Sequence, residues 1–251
     1  MKFQISQILL AVLFLPVGAG CNLKPEVETK ATLTINMATV RPIKKDATIQ
    51  PPVTYAGLIP SADCPGIDYT LNLLSDGVAV HRFTYLEAEN GKNISFVELM
   101  SWRLTKGGQQ LLLEGNSENI QRFGVKKART LRLLNRQGNP IKSGLNYDLV
   151  RAEKFAPIKG SLNLRGYYSR VKNAALFKEC QTGKRFPVLQ KADSISLKRA
   201  YLNAVEKPGE SLFVALKGQL AMRLSVESKG RENLFIVPEH FGQVQAHGRC
   251  P

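Results

Sequence analysis

The sequence predicts a mainly β protein built as two consecutive units: an antiparallel barrel of about eight strands, then a small OB-like barrel with one helix. Three observations carry this. Short apolar or alternating segments recur from Val53 onward, separated by turn signals such as Ser75-Asp76-Gly77, Asn90-Gly91-Lys92, Gly107-Gly108 and the run 136–140, RQGNP. A single stretch, within 192–210, carries an apolar stripe of helical period and length. The segments fall into two runs, 53–151 and 158–251, each of a size suited to one domain.

The first 52 residues stand apart. Lys2 precedes an apolar run from Ile8 to Val17, too short for a bilayer span but suited to a secretory signal over 1–20. Gly18, Ala19 and Gly20 lead directly into Cys21. That arrangement resembles the lipobox of bacterial lipoproteins, in which the cysteine is lipidated and becomes the first mature residue. Gly18 stands where a Leu is usual. Asn22 follows in place of the Asp that retains such lipoproteins in the inner membrane, so the resemblance implies the outer membrane. Residues 21–52 are polar and end in Pro51-Pro52; they read as a tether, with one short strand expected over Thr32–Met37.

The first unit reads strand by strand as VTYAGLI, IDYTLNLL, VAVHRFTYLE, ISFVELMSWRL, QQLLLEG, NIQRFGV, TLRLLN and YDLVR. In the third, Val78, Val80, Arg82 and Thr84 share one face, and Ala79, His81, Phe83 and Tyr85 the other. Tight turns between neighbours favour an antiparallel meander, and closure removes its edges. In the second unit, SLNLRGYYSR, AALFKEC and QTGKRFPV supply extended pieces. The helix follows: Asp193 or Ser194 caps it, Ile195, Leu197, Tyr201, Leu202 and Val205 form its apolar face, and Pro208-Gly209 ends it. The runs 211–227 and 233–244 read as further strands.

Beyond Cys21 the chain has Cys64, Cys180 and Cys250. An exported protein meets an oxidising compartment, so two of these can pair. Cys180 with Cys250 closes one unit on itself; the other pairings tie Cys64 across a domain boundary. A loop of that length constrains the unfolded chain by about 4 kcal/mol on chain-entropy grounds.

Both units resemble one family. Residues 55–87, YAGLIPSADCPGIDYTLNLLSDGVAVHRFTYLE, carry the pattern Y-x-G-x-L/I-P-x-A-D-C-x-G-I that opens the N-terminal domain of the NlpE (CutF) family of outer-membrane lipoproteins. Its markers here are Ala62, Asp63, Cys64, Gly66 and Ile67. The run 165–188, RGYYSRVKNAALFKECQTGKRFPV, is similar to the NlpE C-terminal domain, as are 197–204 and the closing Cys250. The resemblance implies domains at 53–151 and 158–251, a lipocalin-like first barrel, and a Cys180–Cys250 disulfide. It further implies a non-enzymatic outer-membrane lipoprotein, facing the periplasm or the cell surface, that acts in envelope-stress or surface sensing and copper homeostasis. The implied partners are the outer membrane through the N-terminal lipid, the lipoprotein-sorting machinery, and the Cpx sensor kinase.

The residues themselves bound the chemistry. Paired thiols in a C-x-x-C spacing suit Cu(I), but the first position here is Ser61, and a hydroxyl is a poor ligand for a soft ion. Cys64 is therefore a weak metal candidate alone, and the spacing of His81, Met100, His240 and His247 gathers none of them around it. Otherwise Cys64 is a small residue in a turn set by Pro65-Gly66, or an intermolecular thiol. No G-x-S-x-G elbow, H-E-x-x-H helix or nucleotide loop is present, and three histidines leave little for a triad, so no enzyme is expected. The net charge of +15 comes from scattered residues, and an exported lipoprotein does not meet nucleic acid. The competing reading is a periplasmic binding lipoprotein carrying copper or a small apolar ligand. In that case Phe83, Tyr85, Phe96, Trp102 and Leu112 line the barrel lumen.

Overall fold

The computed structural model describes residues 49–115, 120–191, 193–207, 209–224, 232–244 and 248–250. The expected signal segment, Cys21, most of the expected tether with its strand, and His247 lie outside these residues.

Eight antiparallel strands close into a barrel: β1 (Val53–Ile59), β2 (Ile67–Leu73), β3 (Val78–Glu89), β4 (Lys92–Thr105), β5 (Gln110–Glu114), β6 (Ile120–Lys126), β7 (Thr130–Leu133) and β8 (Asp148–Arg151). Each strand pairs with its neighbour in sequence, and β1 closes on β8 through Tyr55–Arg151 and Ala56–Val150. Turn chemistry fixes the registers. Asn90 and Gly91 both have positive φ, 50° and 72°, as a two-residue hairpin turn between right-twisted strands requires. The β6–β7 turn places Lys127 and Ala128 at φ 52° and 53°, a conformation that non-glycine residues rarely adopt. The Tyr55 hydroxyl donates to Ala128 O at 2.8 Å from inside the barrel and holds that turn.

The interior is filled by side chains. Tyr55, Leu71, Leu73, Ala79, Met100, Leu111, Leu113, Leu131 and Leu149 are all fully buried in one cluster. A small barrel has room for little else. Along β3, Val78 and Val80 on the outer face are also buried, beside Ala79 and His81 on the inner one. Together with Leu74 and Leu99 they pack against the second sheet, so this stretch has a core on both sides.

The second sheet has the order β11-β10-β9-β12-β13. Its strands are β9 (Leu162–Val171), β10 (Ala174–Glu179), β11 (Arg185–Pro187), β12 (Leu212–Leu224) and β13 (Glu232–Val244). A parallel bridge between Val188 and Ile236, with Leu189 N donating to Ile236 O, brings the outer strands together. This is the order of an OB barrel, with helix α1 (Ser194–Ala204) between its third and fourth strands. Asp193 occupies the N-cap position, but its carboxylate takes the Ser196 hydroxyl and, at 2.6 Å, the Phe241 N–H, which ties the helix start to β13. Those bonds hold the carboxyl below its ordinary value.

Only part of the expected helix face is buried. Leu197 and Tyr201, one turn apart, enter the core, whereas Ile195 and Leu202 are 68% and 60% exposed. An 11-residue helix laid on a curved sheet touches it along one narrow line, and residues seven apart on the flank remain in solvent.

The segment joining the barrels is fastened to the barrel wall. Asn72 is 1% exposed; it donates to Thr54 Oγ1 and Ala156 O and accepts from Ile158 N. Thr54 Oγ1 in turn accepts from Ala156 N at 2.9 Å.

Candidate functional site

The ADCPGI motif forms the corner between β1 and β2. Ser61 Oγ accepts the Asp63 N–H at 3.4 Å, and the Cys64 thiol donates to Gly66 O at 3.2 Å. Gly66 O also accepts from Leu86 N, which joins the corner to β3. A Cβ at Gly66 would lie 2.9 Å from Leu58 Cδ1, so a larger residue there would displace the exposed Leu58 side chain. Ile67 starts β2 directly after it. The motif residues thus hold a backbone corner. Cys64 is half-buried and carries a free thiol.

The other soft ligands are dispersed. His81 and Met100 both face the barrel interior, on β3 and β4. His240 is on β13 of the other sheet. Among the described residues no group of three His, Cys, Asp or Glu is placed to hold a metal ion.

His81 instead belongs to a polar relay inside the barrel. It is fully buried. Its Nδ1 lies 2.8 Å from the Tyr69 hydroxyl and its Nε2 3.0 Å from Glu98 Oε2. Tyr69 also donates to Gln121 Oε1 at 2.5 Å. Burial pushes the Tyr69 phenol far above its ordinary range, so it stays protonated and neutral. The hydrogen bond from His81 holds the Glu98 carboxyl below its ordinary value. From this relay a run of rings climbs to the barrel rim: His81 to Phe83 at 5.1 Å, and Phe83 stacked on Phe96 at 5.3 Å with Tyr85 edge-on to both. Phe96 is 47% exposed at the upper end.

The five residues expected to line the lumen are therefore split. Phe83 and Trp102 pack on the inner cluster, and Trp102 Nε1 donates to Leu74 O at 2.9 Å. Leu112 lies between the inward-facing Leu111 and Leu113 and points the other way, across from Arg103 and Arg122. Strict alternation along β5 requires this.

In the second barrel the ECQTGK segment builds a tight turn. The Glu179 carboxylate is 3% exposed and accepts Gln181 N, Thr182 N and the Thr182 hydroxyl at 2.7–2.9 Å. Gly183 turns the chain at φ 66°, and Glu179 N donates to Lys184 O. Cys180 N is held by Arg165 O, and Cys180 is bonded to Cys250. The sequence announced the turn through Thr-Gly-Lys, but not the role of the Glu179 carboxylate that organises it. It also gave no sign of the Tyr69–His81–Glu98–Gln121 relay, whose members come from four strands.

An eight-stranded barrel joined by a fastened linker to a disulfide-closed OB barrel defines a two-barrel β protein. Known proteins narrow the class. Residues 55–144 match the NlpE N-terminal domain and residues 158–251 the NlpE C-terminal OB domain. The curated Lipoprotein NlpE of Escherichia coli (strain K12) is 30% identical over 241 residues, 96% of this chain and 94% of that protein. The chain belongs to the NlpE family. The crystal structure of the Cpx pathway activator NlpE from Escherichia coli is 29% identical, covering 79% of this chain and 98% of that one, with a TM-score of 0.35. A solved protein from Shewanella oneidensis is 26% identical over 41% of this chain and 90% of its own, also at a TM-score of 0.35.

Proposed function

We propose that this protein is a non-enzymatic envelope lipoprotein that signals stress, or contact with a surface, to a Cpx-type sensor kinase. The observation that carries the reading is the end-to-end relationship to the Escherichia coli lipoprotein, whose solved form is described as a Cpx pathway activator. In this reading Cys21 carries the lipid, the outer membrane is the anchor, and the lipoprotein-sorting machinery delivers the chain there. The fastened linker and the shared core of the two barrels support a protein that transmits a change between its halves.

The experiment is overproduction with a reporter of the Cpx-type response, in cells without added metal. Induction is the expected result. A silent reporter, with copper or an apolar ligand co-purifying, would overturn it in favour of a carrier. Anchoring has its own test: labelled palmitate enters the wild-type chain and not Cys21→Ala.

A role in copper homeostasis belongs to the same proposal, exerted through the stress response. The single thiol in the β1–β2 corner supports this indirect route, since Cys64 has Ser61 where a second thiol would stand.

A further inference from the structure

Strands β9, β12 and β13 and the chain terminus enclose a cleft of about 670 Å³ on the outer face of the second sheet. Alternation turns Asn163 and Arg165 of β9, and Phe213, Ala215 and Lys217 of β12, away from the core. Pairing sets them in rows: Asn163, Lys217 and His240 across three strands, then Arg165 and Ala215 opposite the irregular stretch of β13 that contains Gly242. Ala215 and Gly242 make the depression. A Cβ at Gly242 would already lie 3.1 Å from Ala215 O. Phe213, edge-on to Tyr167, is an apolar wall at one end. Gly248 and Arg249 border the cleft beside Cys250, so the disulfide to Cys180 pins this strap of chain at its edge.

The charge of the lining is one-sided. Arg165, Lys217 and Arg249 contribute cations, and Glu179 is the single carboxylate. Glu179 is committed to three donors of its own turn. The ion pairs among the described residues, His81–Glu98, Arg103–Glu114, Lys126–Asp148 and Arg132–Asp148, are all in the first barrel. Three cations thus surround an apolar floor with no carboxylate partner among the described residues. Guanidinium forks match planar or tetrahedral oxyanions. Small-molecule clefts of roughly 300–1,000 Å³ combine an apolar floor with a few polar groups in this way.

We propose that this cleft binds an amphiphilic oxyanion. A phosphate or carboxylate head is held by Arg165, Lys217 and Arg249, and an apolar body lies on Phe213, Ala215 and Gly242. The same chemistry is offered by a free monomer or by a headgroup in a bilayer, and the test separates them.

The full oxidised chain is titrated calorimetrically with dodecyl phosphate below its micelle concentration, with dodecanol as the uncharged control. Sedimentation with phosphatidylglycerol/phosphatidylcholine vesicles runs in parallel. The expected result is saturable one-site binding of dodecyl phosphate. It is weakened about tenfold or more for each guanidinium removed in Arg165→Gln and Arg249→Gln. Ala215→Leu, which fills the floor without changing charge, weakens it as well, with far-UV circular dichroism unchanged throughout. Binding to vesicles alone, lost in the Arg165→Gln/Arg249→Gln double variant, supports the cleft and names the bilayer as its source. No saturable binding to either probe, or binding unchanged in the double variant, overturns the proposal.

Discussion

Asn72 is the residue through which the joining segment is most directly coupled to the barrel. It is 1% exposed and makes three hydrogen bonds, to Thr54 Oγ1, Ala156 O and Ile158 N, at 2.8–3.0 Å. In Asn72→Ala the Ile158 N–H loses its acceptor, and Ala156 O keeps only the longer contact from the Thr54 hydroxyl at 3.3 Å. A buried donor left unpaired costs about 1–3 kcal/mol, and each neutral bond lost about 1 kcal/mol, so the segment should loosen by about 2–3 kcal/mol. At a factor of ten per 1.4 kcal/mol, that raises the open fraction of the linker roughly 30- to 150-fold. Lys154 and Lys159 are exposed in this segment, so trypsin reads the opening directly. Cleavage after these lysines should accelerate in Asn72→Ala, with the barrel and OB fragments each resisting further digestion. Urea unfolding followed by the single Trp102 should shift to lower midpoint. Unchanged cleavage together with stability within about 0.5 kcal/mol of wild type, the ordinary range for a surface change, would refute the reasoning.

Three further outcomes are expected. Glu98 has a folded-state value below its ordinary 4.5, so the stability it contributes is complete above that pH and is lost as pH falls through the lowered value. Glu98→Gln should show a shallower loss of thermal stability on acidification below pH 4.5; an identical acid limb would remove the His81 contact as its cause. Glu179→Ala leaves three donors of the 179–184 turn without their acceptor and should cost about 2–4 kcal/mol in urea unfolding of the oxidised chain, with Glu179→Gln intermediate. A loss below about 0.5 kcal/mol would show that water replaces the carboxylate. Ser61→Cys would complete a C-x-x-C pair with Cys64 and should raise Cu(I) affinity at least 100-fold in chelator competition, on the order of the gain expected from a second soft ligand. Equal affinities would mean that the corner geometry does not allow the two thiols to converge.

Much of the fold was legible because turn chemistry and period-two patterning are local. The segments VTYAGLI and QQLLLEG fall on β1 and β5 within a residue or so, and Asn90-Gly91 makes the hairpin turn its composition implies. The candidate site was less legible. The ADCPGI corner was recognisable as a motif and its Cys64–Gly66 bond is local, yet the bond from Leu86 N to Gly66 O that links it to β3 is a long-range fact. The turn at Lys127-Ala128 has no glycine or asparagine to announce it; a tyrosine from another strand, 73 residues away, holds it in place.

The sequence by itself determined the elements, the single helix, the cysteines available for pairing and the family. Each of these depends on spacing along the chain, which periodicity and motif report. The tertiary structure decided what covers each face. It buries Val78 and Val80 on the outer wall under the second barrel, leaves Ile195 and Leu202 in solvent, and turns Leu112 away from the lumen. It also assembles Tyr69, His81, Glu98 and Gln121 from four strands, and sets Arg165, Lys217 and Arg249 around one apolar floor. The physical reason is that a strand's alternation defines two faces without naming their neighbours. Only closure of the barrels determines which polar groups are buried together and which charges are left facing an open cleft.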